Sequence, residues 1–291
     1  MVARHIMPEL PEVETIRRDL KRYVLGKKIK QVTATHPKVV GGNIAAFCRA
    51  LRGQHFTQID RVGKLLIFSL APGQFLLVHL KMTGQLIYQA GPLVIAGGHS
   101  QTDYPGVQPG PHTRVIITFA DNSKLFFHDM RLFGFMKMVD EAGRNKAVSA
   151  FGIEPLTEHF TEEKFAAVFR GRKTSTKTVL LNQALIAGIG NIYADEICFA
   201  AGIRPSRRAA RLRKADLAAL YTATTQVIRR AIAERGTTFN NYVDGAGNKG
   251  NFLKFLAVYG RGGQPCRTCE RPLIKKRIAG RGTVYCVYCQ K

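Results

Sequence analysis

The chain has 291 residues, enough for two domains with separate cores. An apolar share of 45% excludes extended disorder, and no apolar run approaches the ~20 residues that span a bilayer. Forty-four Lys and Arg against 20 Asp and Glu leave a formal charge of +24, which points to a polyanionic partner, nucleic acid first.

Met1 to Ile6 carries basic residues with no hydrophobic segment behind them, so it is not a secretory signal. Met7-Pro8-Glu9-Leu10-Pro11-Glu12 follows. If translation starts at Met7, with Met1–Ile6 an extension or a start-site artefact, methionine removal leaves Pro8 as a terminal secondary amine. Deprotonated, such an amine attacks an electrophilic carbon and forms an iminium, as a lysine Schiff base does. Inside a chain the same nitrogen is an amide without that reactivity, and the Met-Pro pair then reads as a helix start.

Pro11 suits a first helical turn, and Val13, Ile16, Leu20, Tyr23 and Val24 recur at helical spacing until Gly26. From Ile29 to Val139 the texture changes to short apolar runs bounded by turns. Residues 65–68, 75–78 and 115–119 read as strands, and Asp121-Asn122-Ser123 turns into 124–127 as a hairpin. Ala90 to Pro111, rich in Gly and Pro, reads as a mobile loop. This half is a β-sandwich with a leading helix.

After Glu141 the period becomes helical, with Thr161 as a helix cap and further helical patterns near 177–183, 192–201 and 214–235. Gly188-Ile189-Gly190-Asn191 interrupts two helices. Backbone N–H groups there, a helix N-terminus and the Asn191 side chain can grip a phosphate; a plain helix–helix turn is the other reading. Arg170, Arg172, Lys173 and Lys177 precede it, and six cations from Arg204 to Lys214 follow.

Near the end, Cys266-x2-Cys269 and Cys286-x2-Cys289 stand sixteen residues apart. Two thiolate pairs on tight turns close a tetrahedron around one Zn²⁺ with no open position, which makes the metal structural. Cys48 and Cys198 read as buried structural thiols, and the whole pattern fits a reducing cytoplasm. Arg261, Arg267, Arg271, Lys275, Lys276, Arg277, Arg281 and Lys291 surround the cysteines against Glu270 alone, so the metal staples a basic hairpin. Arg281 lies between two glycines at its expected tip.

Four stretches together resemble bacterial formamidopyrimidine-DNA glycosylase, a base-excision repair family: residues 7–15, His128-Asp-Met-Arg-Leu-Phe-Gly134, Gly188-Ile-Gly-Asn-Ile-Tyr-Ala-Asp-Glu196, and Val258-Tyr-Gly-Arg261 leading to the cysteines. The resemblance implies an α+β fold: a β-sandwich catalytic domain at 7–140, a helical helix–two-turn–helix domain at 141–260 and a zinc finger at 261–291. It implies a bifunctional glycosylase and AP lyase that excises oxidised purines such as 8-oxoguanine and formamidopyrimidines from double-stranded DNA, acting as a monomer in the bacterial cytoplasm at the nucleoid. Pro8 would be the nucleophile, Glu9 the proton-transfer group, Lys64 and Arg281 further catalytic groups at the lesion phosphates, and Glu12 a support for the terminus. Met82, Arg131 and Phe133 would fill the void left by the flipped base, with His112, Lys177, Asn191 and Arg281 as further DNA ligands. Residues 243–252 would form a loop over the flipped base. The alternatives are an endonuclease VIII-like enzyme for oxidised pyrimidines, or a catalytically silent lesion binder if Pro8 is internal; a basic RNA-binding protein is more remote.

Overall fold

The structure, a computed structural model, describes residues 7–98, 109–237 and 252–291. In chain order the first part contains α1 (Leu10–Val24), β1 (Ile29–Ala34), α2 (Pro37–Val40), α3 (Ile44–Leu51), β2 (Gln58–Val62), β3 (Leu65–Ser69), β4 (Gln74–His79), β5 (Gly84–Ala90), β6 (Leu93–Gly98), β7 (Thr113–Phe119), β8 (Lys124–Asp129), β9 (Phe135–Asp140) and α4 (Glu141–Ser149). Then come α5 (Glu162–Phe169), α6 (Thr176–Leu181), α7 (Asn191–Ala200), α8 (Lys214–Ala233), β10 (Ile274–Ile278) and β11 (Arg281–Tyr285). Among the described residues, no helix is long and apolar enough to cross a membrane.

The described residues pack as two compact units: 7–148 with 235–237, and 149–234 with 252–291. Of the segment anticipated at 141–260, residues 149–234 and 252–260 pack with 261–291, while 141–148 and 235–237 belong to the first unit.

In the first unit two antiparallel sheets, ordered β1-β7-β8-β5-β6 and β2-β3-β4-β9, enclose one apolar core. β7 alternates buried and half-buried residues along its whole length, the signature of a strand with one face on a core. The β7–β8 hairpin closes through Asn122, whose φ of 64° is the left-handed conformation asparagine tolerates. β6 lies within the segment expected to be a loop. Its glycines masked a strand that pairs with β5 from Gln85↔Gly98 to Ala90↔Leu93. Helices α2 and α3 also escaped the strand-like reading of 29–139, although Asn43 caps α3 by accepting from the Ala46 N–H at 2.9 Å.

α1 buries Leu10, Val13, Ile16, Leu20 and Val24, side chains that contribute roughly 1.5–3 kcal/mol each on leaving water. It also buries Glu9, Glu12, Glu14 and Asp19. Glu14 accepts from Arg17 at 2.8 Å, Arg18 at 2.7 Å and Arg61 at 3.2 Å. Burial opposes its ionisation, but the hydrogen bonds from Arg17 and Arg18 and the charge of Arg61 outweigh it and hold the carboxyl at about 2. Arg61 in turn donates to the Gly63 carbonyl at 2.9 Å, so Glu14 braces the turn that carries Lys64. Asp19 accepts from Arg235 at 2.6 Å, which brings residues 235–237 onto α1.

In the second unit Phe160, Phe165, Phe169 and Tyr221 interlock where α5 packs on α8. Between α6 and α7, Gln183 stitches two successive turns, donating to Leu181 and Ile189 carbonyls and accepting from the Gly188 N–H at 2.9 Å. The β10–β11 hairpin turns at Ala279 and Gly280, both with positive φ (52° and 70°), as a two-residue type I′ connection requires. Arg281 is thus the first residue of β11, opposite Ile278, and not the tip itself.

A folded-state pKa below the unfolded value means stability that is present above about pH 4.5 and lost as pH falls towards 2. Glu14→Gln should therefore lower unfolding free energy by about 2 kcal/mol at pH 7. Urea titrations should show that gap closing between pH 4.5 and 2; a pH-independent gap would remove Glu14 as an ionised brace.

Candidate active site and metal centre

In the first unit, Pro8 and Glu9 are buried immediately before α1. Glu12, one turn on, accepts the Glu9 N–H at 2.9 Å through one oxygen and the Thr237 N–H (2.8 Å) and hydroxyl (3.0 Å) through the other. A single carboxylate thus fixes the backbone at Glu9 against residue 237. Gly236, with φ 77°, is required there, because a Cβ would stand 2.6 Å from Glu12 Oε1.

Lys64 is buried in the turn between β2 and β3, where Leu65 pairs with His79 of β4. Burial, reinforced by the charges of Lys81 and Lys64, pushes His79 down to about 3, so its ring is neutral at physiological pH. Nδ1 accepts from the Lys81 N–H at 3.0 Å. Sequence reasoning passed over His79, three residues before Met82; its position at a strand end beside Lys64 becomes visible only once β3 and β4 pair.

Met82 is half-buried in the tight turn from Leu80 to Gly84, closed by a 2.8 Å bond from the Gly84 N–H to the Leu80 carbonyl. A Cβ at Gly84 would meet that carbonyl oxygen at 2.3 Å, so glycine alone fits. Gly84 pairs with Asp129, which draws the Met82 turn alongside the loop carrying Arg131 and Phe133. Asp129, fully buried, accepts from the Thr83 hydroxyl, from the Arg131 N–H at 3.2 Å and from the Gly134 N–H at 2.6 Å. Phe133 is 47% exposed, with the Arg131 guanidinium 4.6 Å and the Lys38 ammonium 5.8 Å from its ring centre. The Met82 turn therefore lies next to the loop on which the exposed Phe133 ring is flanked by Arg131 and Lys38. His112 is half-buried beside it, its Nδ1 3.4 Å from Arg114, which donates to the Asp129 carbonyl at 2.8 Å.

In the second unit, Asn191 opens α7 after Gly190, which provides no side-chain cap. Its amide donates to the Gly282 carbonyl at 3.0 Å while Oδ1 is buried without a partner. Lys177, anticipated as a DNA ligand, instead faces inward. It is fully buried, and its ammonium donates to Asp195 at 2.6 Å, Thr283 Oγ1 at 2.7 Å and the Gly282 carbonyl at 3.4 Å. An ammonium enclosed by three protein oxygens holds the hairpin and does not meet solvent. Arg170, Arg172 and Lys173, before it in the chain, are exposed. Arg281 is exposed, and its guanidinium makes no hydrogen bond or ion pair among the described residues.

The sulfur atoms of Cys266, Cys269, Cys286 and Cys289 all lie within 4.8 Å of one another and can hold a metal ion. Burial opposes ionisation of Cys266, yet the Thr268 and Cys269 N–H groups and two neighbouring thiols bring it down to about 7. Burial and the other three thiols push Cys289 up to about 12. Four thiols so close cannot all ionise without a cation between them. A small core of Val258, Leu273 and Val284 surrounds them, with Phe199 of α7 packed on it. Burial also pushes Cys198 above its usual range and makes it an inert core thiol. Segment 243–252 lies outside the described residues except for buried Phe252.

A two-sheet unit with an acid-lined leading helix, and a helical unit whose paired turns abut a basic four-cysteine finger, define the helix–two-turn–helix class. Residues 7–136 match the formamidopyrimidine-DNA glycosylase N-terminal domain, and residues 151–242 match that glycosylase's H2TH domain. A formamidopyrimidine-DNA glycosylase of Desulfitobacterium hafniense is 41% identical, covering 98% of this chain and all of that protein. Another, of Moorella thermoacetica, is 42% identical over 93% of this chain and 95% of its own length. The Lactococcus lactis Fpg bound to abasic-site DNA superposes with a TM-score of 0.85 at 31% identity, covering 97% of this chain and 99% of that one. The MutM (Fpg) protein of Thermus thermophilus gives 0.82 at 36% identity, covering 97% and 98%. The chain belongs to the formamidopyrimidine-DNA glycosylase family.

The loop carrying Arg131 and Phe133 depends on Asp129. Asp129→Ala removes the acceptor of the Thr83 hydroxyl and the Gly134 N–H, leaves the Arg131 N–H with Thr83 Oγ1 alone, and should destabilise the first unit by about 3 kcal/mol, with faster amide exchange at Gly134 and Arg131. Unchanged exchange at both amides would show that the loop is held by something else.

Proposed function

We propose that this chain is a bifunctional DNA glycosylase and AP lyase of base-excision repair, acting on oxidised purines in double-stranded DNA. The observation that carries this reading is the match, over nearly the whole chain, to an Fpg bound to abasic-site DNA. A second structure of that protein with comparable similarity holds Fapy-dG-containing DNA. A further structure of it holds DNA with an oxidised pyrimidine, so the purine reading rests on the relatives' name, formamidopyrimidine-DNA glycosylase, and not on the bound lesion.

The chemistry requires Pro8 as a free secondary amine. Its nitrogen attacks C1′ of the damaged nucleotide as the glycosidic bond breaks, and the base departs with its electron pair and a proton. The ring-opened sugar is then held as an iminium on Pro8, which acidifies the hydrogens at C2′. Loss of one of them expels the 3′ phosphate, and a second elimination expels the 5′ phosphate. Glu9, next to the amine, serves as proton carrier for the sugar and base. Glu12, by bonding the Glu9 N–H, fixes the direction in which that carboxylate and the Pro8 nitrogen point.

Lys64 and Arg281 act at the phosphates that flank the lesion. Met82, Arg131 and Phe133 enter the duplex as the nucleotide leaves, the aromatic ring and thioether restoring stacking while Arg131 donates to the orphaned base. Asn191, His112 and the exposed cations Arg170, Arg172 and Lys173 contact the backbone. Lys177 contributes through the hairpin. As functional segments, 7–140 carries the chemistry, 141–260 grips the backbone and 261–291 presents Arg281.

The metal that suits the finger is one structural Zn²⁺ on Cys266, Cys269, Cys286 and Cys289. Zn–S bonds of about 2.3 Å make a tetrahedron with edges of about 3.8 Å. The 3.5 Å separation of Cys269 and Cys286 and the 3.9 Å separation of Cys266 and Cys289 bracket that value.

Two measurements test this reading. Borohydride trapping on an 8-oxoguanine·cytosine duplex should give a covalent adduct with a chain starting at Met7, and none where Pro8 stays internal. Pro8→Gly should abolish excision by proline chemistry while retaining lesion affinity; adducts of undiminished yield from a chain with internal Pro8 would assign the imine to another amine. Separately, Cys266→Ser should lose the bound zinc by native mass spectrometry and melt at lower temperature. Stoichiometric zinc in that variant would refute the four-cysteine site.

A further inference from the structure

The tip of the finger is held from beneath by a buried chain of polar contacts that the reaction itself does not use. Asp195, on α7, is fully buried and divides its carboxylate between two tasks. One oxygen accepts the Lys177 ammonium at 2.6 Å; the other accepts the Val284 N–H of β11 at 3.0 Å. The ammonium passes the tie onward to Thr283 Oγ1 at 2.7 Å, and that hydroxyl donates to the Arg281 carbonyl at 3.2 Å. Lys177 and Asn191 also converge on the Gly282 carbonyl, at 3.4 and 3.0 Å. The backbone from Arg281 to Val284 is thus fixed at three successive points.

These ties are not needed to close the finger. Its turn, its strand pairing and its four cysteines are complete without them. Its seating on the helical unit has separate supports: Glu196 accepts the N–H groups of residues 257, 258 and 259, and Arg204 donates to the Val287 and Gln290 carbonyls. What the Asp195 chain adds is confined to the few residues around Arg281. A full ion pair without solvent access is a costly way to add packing, since apolar residues of the same volume generally do as well or better. Its distinctive property is direction: charge-assisted bonds at fixed angles define where a backbone lies.

We propose that Asp195 and Lys177 are positioning residues that aim Arg281, through Thr283, at a DNA phosphate. The inference rests on the reading of Arg281 as a phosphate contact. A flexible Arg side chain spans several ångströms, so its reach onto one phosphate depends on a stationary Cα. The pair supplies that stationary point at the strand end next to the turn.

The test uses the full chain and a duplex containing a non-cleavable abasic-site analogue, with affinity measured across a salt series. Arg281→Ala should weaken binding about tenfold and lower the salt slope by about 0.9, the loss of one phosphate contact. Thr283→Val, which removes only the hydroxyl, and the apolar pair Lys177→Met with Asp195→Leu should show the same loss and the same slope change. Zinc content and melting temperature should stay close to those of the parent. Adding Arg281→Ala to either should weaken binding no further, because each acts through the same contact. Parental affinity in both Thr283→Val and the apolar pair, with Arg281→Ala impaired, would overturn the proposal and leave the pair as packing. So would losses that multiply when combined with Arg281→Ala. A parental affinity and slope for Arg281→Ala itself would instead remove the phosphate contact, and the aiming role with it.

Discussion

Buried carboxylates have to be compensated, and much of the structure follows from where this basic chain puts them. Among the described residues seven acids are buried, Glu9, Glu12, Glu14, Asp19, Asp129, Asp195 and Glu196, against two lysines and no arginine. An acid withdrawn from water without a partner costs several kcal/mol, so each of these dictates what surrounds it. Glu12, Glu14 and Asp19 bring residue 237, Arg61 and Arg235 onto α1. Asp129 shapes the loop carrying Arg131 and Phe133, and Asp195 and Glu196 fasten the finger to α7. The scarce acids act as internal anchors while the cations stay outside. The surface is accordingly more positive than the formal +24 suggests.

That distribution separates two kinds of cation that look alike in composition. Arg131 and Arg281 are exposed, and a buried acid holds the backbone beside each: Asp129 for the first, Asp195 for the second. Electrostatic attraction gives a protein affinity for any duplex, but a phosphate contact that matters for chemistry needs a fixed backbone behind the side chain. Each unit therefore sets an exposed arginine on a backbone that an inner carboxylate fixes.

This layering explains which features were legible in the sequence. Periodicity exposed α1, the β7–β8 hairpin and α8 because each pattern is local. The cysteine spacing revealed the metal centre for the same reason. The strand β6 was hidden because Gly91, Gly97 and Gly98 carry the signal of a loop, and only pairing with β5 overrides it. Arg281 was misplaced by one residue because Ala279 adopts a left-handed φ of 52°, a conformation ordinarily left to glycine or asparagine. The inward turn of Lys177 was unreadable in principle. Its partners lie 18 and 106 residues away, and nothing local distinguishes it from the solvated lysines around it.

The same logic bears on Glu9 and Lys64, two ionisable groups buried in the first unit. A carboxylate that carries protons gains from low solvation, because its affinity for a proton then responds strongly to a nearby cation. Glu9 is tied through its backbone N–H to Glu12, while Glu14, five residues beyond it, accepts from three arginines. The three arginines hold Glu14 at about 2, so that carboxylate stays charged at neutral pH. The arginines gathered on Glu14 thus brace the turn that carries Lys64, and Glu12 fixes the backbone at Glu9.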